Sequence, residues 1–162
     1  MRARQSIQYN RNMGDKYGFD DLTRVMVAEQ CRGQKDAAER AAAIACQTIV
    51  AGLKGTRAAG AMQGPADSVR LITKGMVTGL VTADLDFVEA SVVLLQHLSD
   101  AAEKAGIDPA EMMTWAMEAL AEQSAILPAD RVNVLEAEVD RNFMGAGSMF
   151  SALCNKARKA RP

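Results

Sequence analysis

Apolar residues recur at three- and four-residue steps through most of this chain, which is the spacing of one face of an α-helix. The clearest run follows Asp36 and comprises Ala38, Ala42, Ala45, Ile49 and Leu53. No run of alternating apolar and polar residues bounded by turn residues competes with it as a strand. The pattern therefore predicts an all-α protein, an irregular helical bundle of five to seven helices.

The strongest local signal is a helix start near residue 108. Asp108 supplies a capping carboxylate, Pro109 occupies the first helical position, and Glu111 lies in the first turn. Two other periodic segments, at about 66–82 and 84–104, adjoin without a Gly or Pro between them. They predict either two helices or one long kinked helix.

The first predicted helix runs from about Asp21 to Arg32, with Asp20 or Asp21 as its cap. Its expected inward stripe consists of Leu22, Val25 and Met26.

Differences in periodicity and composition divide the chain into three parts. Residues 1–18 lack periodicity and are predicted to form a flexible or docking arm. Residues 19–155 form the predicted helical domain, and residues 156–162 a basic C-terminal tail.

The composition fits a helical core without disulfides or metal. The chain has 162 residues, is 49% hydrophobic but only 4% aromatic, and contains ten Met. Its three cysteines have no metal-site or disulfide spacing, which favours free thiols in a reducing, cytoplasmic compartment. The longest uncharged stretch, residues 41–53, is shorter than the roughly 20 residues that cross a bilayer. We therefore expect neither a membrane span nor a signal peptide.

The charges are segregated along the chain although the net charge is only −1. Residues 84–140 contain thirteen acidic residues against Lys104 and Arg131, a net charge of −11. The two ends are basic, with +3 in residues 1–18 and +5 in residues 141–162. An acidic middle between basic ends predicts directional electrostatic contacts, within or between subunits.

Small residues at four-residue spacing predict close helix packing. Gly75 and Gly79 form such a pair, and Gly52 lies in a similar position on the preceding helix. We interpret them as packing positions within the fold, with a self-association face as the alternative.

Carboxylates on one narrow stripe of the helix that starts at Pro109 suggest either a solvated acidic face or a partner-binding surface. The stripe consists of Glu111, Glu118 and Glu122, with Trp115 beside it. A di-metal centre in a helical bundle uses Glu-x-x-His pairs, which are absent, so we predict no metal site. His97 and Asp100 lie one turn apart and form the only candidate acid–base pair, although no motif marks a nucleophile beside them.

The basic ends allow phosphate contacts, but no nucleic-acid-binding module is recognisable and the calculated pI is 5.9. Nucleotide-binding glycine loops are absent as well, and no cofactor is predicted. Nucleic-acid contact through the basic tails therefore stays a minor alternative.

The leading hypothesis from the sequence is a non-catalytic helical interaction or scaffold protein, a homo-oligomer or a subunit of a larger assembly. Its acidic region would engage basic arms. The alternative is a small-molecule- or metal-binding helical enzyme around His97, Asp100 and the glutamate stripe. The candidate partner-binding residues are Arg2, Arg4, Tyr9, Arg11, Tyr17, Glu111, Trp115, Glu118, Glu122, Lys156, Arg158 and Lys159.

Overall fold

A computed structural model of the chain describes residues 18–59 and 64–161. These residues form seven α-helices and no strand, which confirms the predicted all-α bundle. The helices are α1 (Phe19–Cys31), α2 (Ala37–Ala59), α3 (Pro65–Thr82), α4 (Phe87–Ala105), α5 (Pro109–Ser124), α6 (Ala129–Asn142) and α7 (Ala146–Ala160).

The turn between α4 and α5 has the predicted capping chemistry. Gly106 ends α4 in the left-handed conformation, with φ of 71°. The Asp108 carboxylate accepts hydrogen bonds from the backbone N–H groups of Ala110 at 2.8 Å and Glu111 at 3.2 Å. Because Pro109 lacks an N–H, it leaves no donor unsatisfied at the first helical position.

A short turn separates α3 from α4, so the single kinked helix is wrong. Asp84 has a positive φ of 60°, which interrupts the helical path. Asp86 then caps α4, its carboxylate accepting from the Val88 N–H at 3.1 Å.

Helix α3 lies at the centre of the bundle, where it packs against α1, α2, α4 and α5. Helix α2 packs mainly on α4, and α5 connects α3 and α4 to α7. The core is continuous and built largely from aliphatic residues. Phe87 and Phe150 are its buried aromatic residues.

Gly75 and Gly79 bring α1 and α3 into backbone contact. A Cβ added at Gly79 would lie 2.6 Å from the Arg24 carbonyl oxygen, and one at Gly75 would lie 2.8 Å from Cβ of Thr23. Thr23 is buried there, and its hydroxyl donates to the Phe19 carbonyl at 2.7 Å, which leaves no unpaired polar group in the contact.

This close contact selects a different face of α1 from the predicted one. The buried residues of α1 are Thr23, Val27, Ala28 and Cys31. Val25 and Met26, predicted to point inward, are 41% and 39% exposed. The predicted cap is also wrong, because α1 starts at Phe19 after Gly18, and no side chain caps it.

Gly52 on α2 admits an aromatic ring from the start of α1. A Cβ at this position would lie 3.2 Å from Cζ of Phe19, so the absence of a side chain makes room for the ring. Phe19 thereby packs against the core at the point where the described chain begins.

The last helix, α7, has 15 residues. It continues through Ala160, so Lys156, Arg158 and Lys159 of the basic C-terminal segment lie on its final turns. Phe150 and Cys154 face the core, whereas Met149 is 45% exposed. Within the described part of the chain, no helix is long and apolar enough to span a bilayer.

Candidate functional site

An open depression lies between α2 and α4, and we call it the α2–α4 groove. It has a volume of about 860 Å³. Six of its fourteen lining residues have small or branched apolar side chains: Ala42, Ala43, Val50, Ala51, Val93 and Ala101. Val93 is half-buried and packs against the core.

Charged and polar side chains form the edges of this groove. Glu39 and Lys54 lie at opposite ends of the α2 wall, while His97, Asp100 and Lys104 lie along α4. All five side chains are exposed. The groove is therefore apolar inside and charged at its rim, the arrangement seen in surfaces that bind other proteins.

The Cys46 thiol is half-buried in the same groove. Burial raises the pKa of Cys46 to about 11, a shift that the positive charge of Lys104 opposes and the negative charge of Asp100 reinforces. The thiol is therefore protonated at neutral pH and acts as a small apolar side chain in the wall.

A second depression of about 760 Å³, the α5–α7 groove, lies between these helices and the start of α3. It brings together three of the predicted partner-binding residues, Glu118, Glu122 and Lys156. Glu118 is already engaged, because it accepts hydrogen bonds from the Arg70 guanidinium, one of them at 3.0 Å from Nε. Acidic and basic groups of this chain therefore meet here within one subunit.

Gln123 lies at the base of the α5–α7 groove. It is 94% buried, and its side-chain carbonyl oxygen has no hydrogen-bond partner among the described residues. A buried acceptor without a partner costs on the order of 1–3 kcal/mol, which makes this a locally destabilising feature.

The remaining predicted partner-binding residues are dispersed. Glu111 is exposed in the first turn of α5 and lines neither groove. Trp115 is half-buried and packs against the core. Arg158 lies 3.9 Å from Glu136 on α6, and Lys159 is exposed. The other five candidates, Arg2, Arg4, Tyr9, Arg11 and Tyr17, lie outside the described residues.

The residues of the enzyme alternative do not converge on one pocket. His97 and Asp100 line the α2–α4 groove, whereas Glu118 and Glu122 line the α5–α7 groove. Among residues 18–59 and 64–161, no group of three or more His, Cys, Asp or Glu side chains is placed to hold a metal ion.

Sequence reasoning missed the apolar face that α2 turns toward the groove. It identified the buried stripe through Ala42, Ala45 and Ile49, but a second stripe runs beside it. Ala43, Cys46 and Val50 follow Glu39 at steps of four, three and four residues. This spacing is a detectable signal, since it is that of a helix–helix seam.

Comparisons with protein-family models, with curated proteins and with solved structures gave no significant match.

Proposed function

We propose that this protein is a non-catalytic helical interaction protein, and that it binds a helix of a protein partner in the α2–α4 groove. The observation that carries this proposal is the seam of Ala43, Cys46 and Val50, which lines an open groove, with Ala43 exposed and the other two half-buried. A helix laid into this groove would cover apolar surface that the fold leaves in contact with water.

The small side chains favour a helical partner over a small molecule. Alanine walls let a second helix approach closely, so that its larger side chains enter between α2 and α4. The charges at the ends of the groove then favour one orientation of the partner over the other. The groove combines these two features, whereas the charges of the α5–α7 groove are partly paired within the chain.

Acidic side chains outside the groove supply the electrostatic part of the proposal. Glu103, Glu111 and Glu122 are exposed and form no ion pair within the described part of the chain. They give the 84–140 region a negative surface that attracts a basic segment of a partner and speeds the encounter.

Site-specific photo-cross-linking in cells of the native source tests the proposal. A cross-linking residue at position 43 reports on the groove, and one at the equally exposed Ala137 of α6 is the matched control. We expect a protein cross-link, either to another copy or to a different chain, at position 43 but not at position 137. Equal or absent cross-linking at the two positions would contradict the proposal.

A further inference from the structure

The face of α2 that lines the groove has an internal symmetry. Its residues fall into pairs whose midpoints all lie between Cys46 and Gln47. Reading outward from that midpoint, the pairs are Cys46 with Gln47, Ala43 with Val50, Ala42 with Ala51, and Glu39 with Lys54. All eight side chains line the groove.

We infer that the helix bound in the α2–α4 groove is α2 of a second copy of this chain, packed antiparallel about a two-fold axis that passes between Cys46 and Gln47. The inference rests on the proposed function and names its partner. In a two-fold interface the same surface is used by both subunits, so each residue meets the partner's residue at the symmetry-related position. The symmetry of this face satisfies that requirement.

The charges support the antiparallel arrangement. Glu39 lies opposite the partner's Lys54, and Lys54 lies opposite the partner's Glu39, so two ion pairs close the ends of the seam. Neither side chain takes part in an ion pair with the described residues of its own chain. A parallel arrangement would instead place Glu39 against the partner's Glu39 and Lys54 against the partner's Lys54, which is repulsive.

The face between the two charged ends is long enough for this contact. Glu39 and Lys54 are fifteen residues apart, or about 22 Å along the helix, which gives roughly four turns of contact. Between them, Ala43 meets the partner's larger Val50 on each side of the axis, so that small residues face larger ones. The α4 residues at the rim of each groove flank the incoming helix and widen the interface.

Charge exchange between two variants tests this geometry. Glu39→Lys and Lys54→Glu each place like charges at both ends of the seam, and each should weaken the homodimer about tenfold. The double variant Glu39→Lys/Lys54→Glu restores both pairs and should recover the wild-type dissociation constant. Sedimentation equilibrium over a wide concentration range measures all four proteins.

Mixing the two single variants gives the sharpest result. A dimer of one Glu39→Lys chain with one Lys54→Glu chain has opposite charges at both ends. Native mass spectrometry of an equimolar mixture, with one variant isotopically labelled, should therefore show heterodimer well above twice the amount of each homodimer, which is the share that random pairing gives. A statistical mixture of the three species would overturn the inferred pairing, because it means that the dimer contact lies elsewhere.

A groove variant checks the apolar part of the interface. Ala43→Arg should weaken the dimer about 100-fold or more, since it places a charged side chain at the seam, whereas Ala137→Arg should leave it unchanged. Because both alanines are exposed, we expect both variants to fold. Circular dichroism and unfolding curves check this.

The failure of this inference is distinguishable from the failure of the proposed function. A wild-type chain that stays monomeric overturns the two-fold dimer. If position 43 then cross-links to a different protein in the native source, the proposed function stands without the dimer. If it cross-links only to residues 1–17 of its own chain, both are overturned.

Discussion

The helix pairs α1–α3 and α2–α4 both depend on small residues, but with opposite results. At α1–α3, Gly75 and Gly79 lie directly against the backbone of α1 and leave no space for even a methyl group. At α2–α4, Ala43 and Ala51 lie on the walls of an open groove. Small residues therefore mark places where a helix can approach closely, and the rest of the fold determines whether that helix comes from the same chain.

The largest change in stability is expected when a side chain is placed in the close contact between α1 and α3. We expect Gly75→Val to lower the free energy of unfolding by about 2–3 kcal/mol, because its side chain would collide with Thr23 and with the Asp20 carbonyl. Urea unfolding monitored by circular dichroism measures the loss. A change smaller than about 0.5 kcal/mol would mean that α1 is loosely held.

The stability at alkaline pH tests how far the wall of the α2–α4 groove is desolvated. The pKa of Cys46 is raised from 9.0 to about 11, so the unfolded thiol ionises at a lower pH than the folded one. The stabilisation is complete below pH 9 and is lost as the pH rises toward 11. We expect the stability of the wild type relative to Cys46→Ala to fall by on the order of 1 kcal/mol over this range, discounted for partial exposure. Urea unfolding at several pH values measures the difference, and a pH-independent difference would show that the thiol is not desolvated.

A glycine with free space around it provides a control, because a side chain added there should raise the free energy of unfolding. Gly55 lies inside α2, and among the described residues no atom outside the neighbouring α2 backbone lies within 4 Å of an added Cβ. Gly55→Ala should therefore raise the free energy of unfolding by about 0.5–1 kcal/mol through the unfolded chain's reduced freedom. Thermal unfolding of this variant beside Gly75→Val checks both signs, and destabilisation would reveal a contact at this position.

The smallest expected effect is a larger side chain in the open groove. Ala43→Leu should change the free energy of unfolding of the monomer by less than about 0.5 kcal/mol, because Ala43 is exposed. Unfolding at low protein concentration, below any dimerisation, gives this value. A loss comparable to that of Gly75→Val would place Ala43 in a closed contact and remove the distinction between the two helix pairs.

Sequence reasoning succeeded where the determining residues are neighbours in the chain. The start of α5 depends on Asp108 and Pro109 and on backbone groups one turn away, so it was predicted correctly. The orientation of α1 depends on the glycines of α3, some fifty residues later. A stripe of Val25 and Met26 is as apolar as the buried one, and only the distant partner determines which side of the helix is covered.

The candidate site was only partly predictable for the same reason. The charge segregation predicted contact between the acidic region and basic ends, and the structure places Lys156 in one groove with Glu118 and Glu122. The α2–α4 groove was not predicted, because alanine lines both the buried stripe and the outer stripe of α2. Equal spacing and similar side chains do not indicate which stripe stays uncovered.

The contact between Phe19 and Gly52 sets a practical limit for shortened forms of this protein. A protease or a designed truncation that removes residues 1–17 leaves the Phe19 ring in place. Removal of two further residues deletes the ring, and because Gly52 has no side chain, a hollow opens beside Ile72 of α3. A truncation that passes Phe19 therefore removes the contact that fastens the start of α1 to α2.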